Sequence, residues 1–338
     1  MSDGTTTIAP LVVIAITRNA GAGALRSALA VGLKDRIDEP CVGRDTLLTL
    51  AARHGNTECL RLLLEEGASI DAPSAPPSAT ALYVAAQEGH TKAVRLLLAK
   101  RADVTDVVGD GLTPLAVAVH QGGSKPHAEC CKLLLEAPQQ VAIGAKKLDD
   151  CDQNGVNLLL KASFMGHDCV VGHLLRAGAS PTHHDATGAT ALLLACRQGH
   201  AKCAQQLIRA GAPLDAAIED GGTPLHFACR AGAAECVRVL LAAQCDPDAA
   251  SCATGVRALH VASQCGELEC VRLLIDARAS VHVEDVDGVP PLYLADAQGH
   301  RSIAKLLARA GAARPAQDEQ HQRAAAGAPA GASSWGFW

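Results

Sequence analysis

Aromatic residues are almost missing from this chain: two Trp, two Tyr and three Phe, 2% of 338 residues. Since 49% of positions are still apolar, any core is built from Leu, Ala, Val and Cys, the composition of short helices in close contact. Long apolar runs are missing too. The best one, Ile8 to Ile16, contains Pro10 and falls well short of the roughly 20 residues that cross a bilayer. It follows Asp3 rather than a basic stretch, so it does not read as a signal peptide. The expectation is a soluble intracellular protein, cytoplasmic rather than nuclear, with no membrane partner. Excess positive charge is also lacking. A net charge of -5 gives no general attraction for phosphates, and no nucleic-acid partner is expected.

Catalytic and metal motifs are lacking in the same way. The chain has no CxxC pair, no GxxxxGK[ST] loop and no GxSxG elbow, and Gly21-Ala22-Gly23 leads to Arg26 where a dinucleotide fingerprint needs its third glycine. Asp150, Asp152, Asn154 and Gly155 match the first half of a calcium loop. The twelfth position, which needs a bidentate Glu, is Lys161. His183 and His184 are adjacent in a strand-like hairpin, where neighbours point to opposite sides and do not share an ion. The expectation is no catalytic residue, no metal and no cofactor.

What is present is a repeat. Aligned on Thr46, Thr80, Thr113, Asn157, Thr190, Thr223, Arg257 and Pro290, eight segments recur at spacings of 34, 33, 44, 33, 33, 34 and 33 residues. Two residues on stands a leucine in every segment (Leu48 to Leu292), five on an alanine (Ala51 to Ala295), nine on a glycine (Gly55 to Gly299). The seventeenth position is leucine throughout, as in Leu63, Leu97 and Leu207, once four residues are inserted in the third segment. Leu and Ala three apart share one face of a short helix, and the small Ala admits the next layer. The column glycine ends that helix. A second amphipathic helix follows, stopped by Gly-Ala at Gly67, Gly178, Gly211 and Gly311, and turn dipeptides such as Asp110-Gly111, Asn154-Gly155 and Asp287-Gly288 form a projecting hairpin.

These segments resemble the ankyrin repeat, with its TPLHxAAxxGH, LL and GA strings; the sixth, GTPLHFACRAG from Gly222 to Gly232, is nearest. The resemblance implies an all-α solenoid of stacked helix-turn-helix repeats with projecting β-hairpin loops, over residues 41–312. Residues 1–40 are read as an N-terminal segment with a degenerate capping repeat around Ala24, Leu25, Ala28 and Leu29, and residues 313–338 as a disordered Ala/Gly-rich tail. Insertions fall at residues 123–126, between two helices, and at 141–149, where a hairpin is lengthened.

Other recurrent residues follow from the repeat. Cys59, Cys130, Cys203, Cys236 and Cys270 share one column, and Cys196 and Cys229 another, so they read as packing residues. Equivalent positions in successive layers, about 8–10 Å apart, are too distant for a disulfide. Cys151, Cys245 and Cys252 are expected to be exposed in hairpins. Glu58, Glu129, Glu235 and Glu269 stand three residues before a basic residue, as surface pairs do.

The resemblance also implies that such arrays bind proteins, through a continuous concave face made of hairpin tips and inner-helix ends. Those ends carry Arg53-His54, Gln87-Glu88, His120-Gln121, Phe164-Met165, Arg197-Gln198 and Arg230, which change from repeat to repeat while the core columns do not. Phe164 and Met165 are the expected apolar anchor. Acidic residues in the later hairpins, Asp220 and Asp285 among them, are expected to steer a basic partner surface. The function read from the sequence is a monomeric, non-enzymatic adaptor or scaffold. The alternative is a substrate-receptor subunit of a larger enzyme such as a ubiquitin ligase.

Overall fold

The computed structural model of the chain describes residues 10–18, 22–31, 33–41, 45–74, 79–108, 111–138 and 148–312. The 313–338 tail, residues 141–147 of the second insertion and Asp110 lie outside them. Among the described residues the α-helices are, in chain order, α1 (Pro10–Thr17), α2 (Gly23–Ala30), and then eight pairs, one per repeat. These are α3 (Leu47–Arg53) with α4 (Thr57–Glu65), α5 (Ala81–Gln87) with α6 (Thr91–Ala99), α7 (Pro114–His120) with α8 (Lys125–Leu135), and α9 (Leu158–Met165) with α10 (Asp168–Arg176). There follow α11 (Ala191–Arg197) with α12 (Ala201–Arg209), α13 (Pro224–Arg230) with α14 (Ala234–Ala242), α15 (Ala258–Cys265) with α16 (Leu268–Asp276), and α17 (Pro291–Ala297) with α18 (Arg301–Arg309).

Contacts gather into two compact units, Met1–Gln153 with Asn157–Ser180 and Asn154–Val156 with Pro181–Trp338. In the first, α3, α5, α7 and α9 pack in succession as an inner row and α4, α6, α8 and α10 as an outer row, with α1 against α2 and α3. In the second, α11, α13, α15 and α17 form the inner row and α12, α14, α16 and α18 the outer. The leucine and alanine columns are buried throughout: Leu48, Leu63, Leu82, Leu97, Leu192, Leu207, Leu259 and Leu274 are all but inaccessible to water. The hairpins form isolated bridges, His184 with Thr190 and Ala250 with Arg257, and no extended strand among the described residues.

The anchor residues on which the repeats align are helix N-caps. The side chains of Thr46, Thr80, Thr113, Asn157 and Thr190 accept the N–H three residues on at 2.9–3.4 Å, satisfying donors that the first helical turn leaves unpaired. In the sixth and seventh repeats histidines take this role. His226 and His260 accept the N–H of Thr223 (3.3 Å) and Arg257 (3.2 Å) at Nδ1, while Nε2 donates to the carbonyls of Val256 (3.0 Å) and Val289 (3.1 Å) in the next repeat. A second set of histidines follows the column glycine. The rings of His90, His127, His167 and His300 bond to carbonyls of Arg53, Gln87, Val119 and Gln264 in the preceding repeat at 2.8–3.1 Å. Aspartates join successive hairpins as well. Asp38, Asp71, Asp149 and Asp248 accept the N–H of Ser69, Asp103, Ser180 and Ser280.

The first insertion departs from its expectation. Ser124 caps α8, and Lys125 and Pro126 form its first turn, so the helix has 11 residues where α4 and α6 have nine. Two inserted residues therefore add helix rather than loop. Gly122 marks the same junction, for a Cβ there would lie 2.8 Å from both His167 Nδ1 and Val170 Cγ2.

Seven of the eight outer helices, all but α8, are followed by a left-handed residue. Gly67, Gly178, Gly211 and Gly311 supply it with φ of 86–100°, but Arg101, Gln244 and Arg278 hold the same position at φ 64–66°. That conformation costs a residue bearing a Cβ about 1–2 kcal/mol, part of which glycine returns through its larger unfolded entropy. Arg101→Gly, Gln244→Gly and Arg278→Gly are therefore each expected to stabilise the fold by about 0.5–1 kcal/mol. They lie in separate repeats, so a triple variant should show the sum in denaturant unfolding. A loss of stability would mean that the side chains contribute more than the backbone costs.

Candidate protein-interaction faces

In the first unit the residues expected at the inner-helix ends fall into two groups. His54, Glu88, His120 and Gln121 are exposed. Arg53 and Gln87 are half-buried and partly engaged. Arg53 donates to both oxygens of Asp45 at 2.9 and 3.0 Å, and this hydrogen bond raises its pKa above the usual guanidinium value. The backbone carbonyl of Gln87 receives the His127 ring. Phe164 and Met165, at the end of α9, are 43% and 38% exposed, unusual for such large apolar side chains in this chain.

In the second unit Gln198 and Arg230 are exposed and Arg197 is half-buried. The acidic hairpins divide sharply. Asp285 is not a free steering charge, because its Oδ1 accepts the N–H of Asp287 (3.0 Å) and of Val289 (2.8 Å) and holds the turn together. Asp185 does the same for Thr187 and Ala189, and Asp248 is taken by Ser280. Glu219 and Asp220 differ: both are exposed, and no described residue gives their carboxylates a hydrogen bond or ion pair. Arg257, a base within this row, is spent on the carbonyls of Asp248 and Glu284.

Beside Glu219 and Asp220 lies a cavity of about 200 Å³, lined also by Leu193, Arg197, Ile218 and Phe227. Sequence reasoning missed it. The available signal was Phe227, an aromatic residue in a chain with few, five residues after Gly222. A Cβ on Gly222 would lie 2.9 Å from the Phe227 ring, so the glycine makes room for it.

The cysteine columns meet in a way that the repeat period alone conceals. None of the fourteen cysteines forms a disulfide. Cys196 on α11 shares a hydrogen bond with Cys236 on α14, and Cys229 on α13 with Cys270 on α16; with their burial, these bonds hold the Cys196 and Cys229 thiols well above the usual range. Members of the two different columns thus meet across adjacent repeats. Burial pushes Cys130 and Cys131 up to about 12. Cys151 and Cys252 are exposed, as are Cys169 and Cys265, whereas Cys245 is half-buried and raised to about 11 by burial. Two surface pairs are found within a helix, Glu129 with Lys132 (3.7 Å) and Glu235 with Arg238 (3.3 Å); Glu58 instead faces Arg26, 3.9 Å away on α2.

His183 and His184 depart from their expectation too. Their rings stack, 6.3 Å between centroids, instead of lying on opposite sides. Each is engaged by a carbonyl, Gly155 at 2.8 Å and Asp185 at 3.0 Å. Among the described residues no cluster of three or more His, Cys, Asp or Glu could hold a metal, and no helix is long and apolar enough to cross a membrane.

Helix pairs stacked at a fixed period, with capped inner helices and projecting turns, define a helical repeat protein. The family profile described as "Ankyrin repeats (3 copies)" matches residues 15–108, 158–251 and 244–318, and that described as "Ankyrin repeats (many copies)" matches residues 82–135. The chain belongs to the ankyrin-repeat family. A comparison with curated proteins finds no match. Ankyrin repeats are generally protein–protein interaction modules without enzymatic activity of their own.

Proposed function

We propose that this protein is a non-enzymatic adaptor or scaffold that holds a partner protein against its inner-helix ends and hairpin tips. The reading rests on one observation above all: Phe164 and Met165 leave a large apolar surface exposed at positions that vary between repeats, while the invariant columns beside them are buried. Apolar anchors of this kind dominate interface energies. The unspent carboxylates of Glu219 and Asp220 favour a partner with a basic contact surface. The protein acts as a monomer in the cytoplasm on this reading, and needs neither metal nor cofactor.

Affinity capture with the wild-type chain as bait, beside a Phe164→Ala variant, tests the proposal. A specific protein retained by the wild type and lost with Phe164→Ala is the expected result. Equal retention by both baits would remove Phe164 from the interface.

A further inference from the structure

The cavity in the second unit has the shape and charge of a receptor for one long cationic side chain. It opens between two successive hairpin turns and the inner helices α11 and α13. Leu193, Ile218 and the largely buried ring of Phe227 give it apolar walls; Glu219 and Asp220 stand at its hairpin rim and Arg197 on its helix side.

Both turns are fixed before any ligand arrives. On one side Asp185 Oδ1 accepts the Thr187 and Ala189 N–H groups. On the other, Gly221 N–H donates to the Ile218 carbonyl at 2.8 Å, and Ser251 Oγ, from the following repeat, donates to the Asp220 carbonyl at 2.6 Å. A preformed pocket loses little entropy on binding. The carboxylates of Glu219 and Asp220 are unspent, whereas those of Asp185, Asp248 and Asp285 are consumed by backbone donors. An apolar wall below two unpaired carboxylates matches side chains that bury a methylene stem and keep a charged head at the surface.

We propose that this pocket receives a single arginine or lysine side chain from an extended segment of the partner protein. The stem lies among Leu193, Ile218 and Phe227, and the cationic head rests between Glu219 and Asp220. The proposal rests on the reading of the chain as a protein-interaction module, and names the side chain that one part of it selects.

The test uses the full-length chain, isotopically labelled and titrated with capped Gly-Gly-Xaa-Gly-Gly peptides in which Xaa is arginine, lysine, norleucine or glutamate. Arginine and lysine peptides should give saturable shifts of the amide signals between Ile218 and Phe227. Norleucine, which has the stem without the charge, should bind about fivefold more weakly, and glutamate should not saturate. The E219Q/D220N variant should melt like the wild type and bind the arginine peptide no better than the norleucine peptide. Equal affinity for norleucine and arginine, preference for glutamate, unchanged arginine binding by E219Q/D220N, or no saturable shift would each overturn the proposal. Loss of the interaction reading is seen separately. A wild-type chain that binds the arginine peptide but captures no protein leaves the pocket standing without that reading, whereas a partner protein held equally by wild type and E219Q/D220N overturns the pocket alone.

Discussion

Alanine in place of Leu207 is expected to destabilise the second unit by about 3–5 kcal/mol. Leu207 belongs to the leucine column that recurs in every repeat, and its side chain on α12 is wholly buried. Truncation removes its transfer free energy and leaves a cavity, since α12 is braced by α11 and α14 and cannot collapse freely. A repeat contacts only its neighbours, so the loss should centre on the fifth and sixth repeats, with hydrogen-exchange protection falling first in α11 to α14. Val286→Ala is the control. Val286 is 69% exposed at a hairpin tip, and its truncation should stay within about 0.5 kcal/mol. Denaturant unfolding of the two variants checks both, and a Leu207→Ala cost below about 1 kcal/mol would show that the column is not core.

Acid should destabilise the second unit before its carboxylates protonate. Burial lowers the pKa of His226, and lowers that of His260 from 6.5 to about 4; near His260, Asp285 pulls upward while Arg257 and His226 push down. A histidine depressed in the folded state binds more protons when unfolded, so stability rises with pH across the interval between the two values. The contribution is present above about pH 6.5 and is lost as pH falls from there toward about 4. At about 1.4 kcal/mol for each unit of pKa separation, His260 alone accounts for roughly 3 kcal/mol. Burial is the main cause, and the geometry agrees with it: Nδ1 accepts the Arg257 N–H, and a proton there would displace that donor. Unfolding midpoints should therefore fall between pH 6.5 and 4, and His260→Gln, which keeps a capping acceptor without titrating, should flatten that slope. A midpoint constant over this range would contradict the assignment.

The fold was legible because the repeat writes its core eight times. Leu48 and Ala51, or Leu192 and Ala195, share a buried face whatever the intervening residues are, and a glycine at the helix end is required in each copy. Contacts between different columns were not legible. That Cys196 meets Cys236 depends on how far one helix pair is rotated against the next, which a period of 33 residues does not encode. The acidic hairpins were read as one class and are two. Asp185 and Asp285 stand three residues before Gly188 and Gly288, the spacing of an aspartate that caps its own turn. Glu219 and Asp220 directly precede Gly221 and lack that geometry. That spacing marks Asp185 and Asp285 as turn-capping carboxylates. The pocket needed four elements at once, two hairpins and two inner helices, and no local pattern joins them.

The central claim is that residues varying at the inner-helix ends serve binding while the invariant columns serve folding. Its most direct test is the dissociation constant of the captured partner for wild type and for Phe164→Ala/Met165→Ala, with the unfolding free energy of both chains measured on the same samples. The account predicts at least about tenfold weaker binding, a loss of 1.4 kcal/mol or more, with stability changed by less than about 1 kcal/mol. A stability loss of about 3–5 kcal/mol would place Phe164 in the core, and full affinity in a stable double variant would place the partner elsewhere.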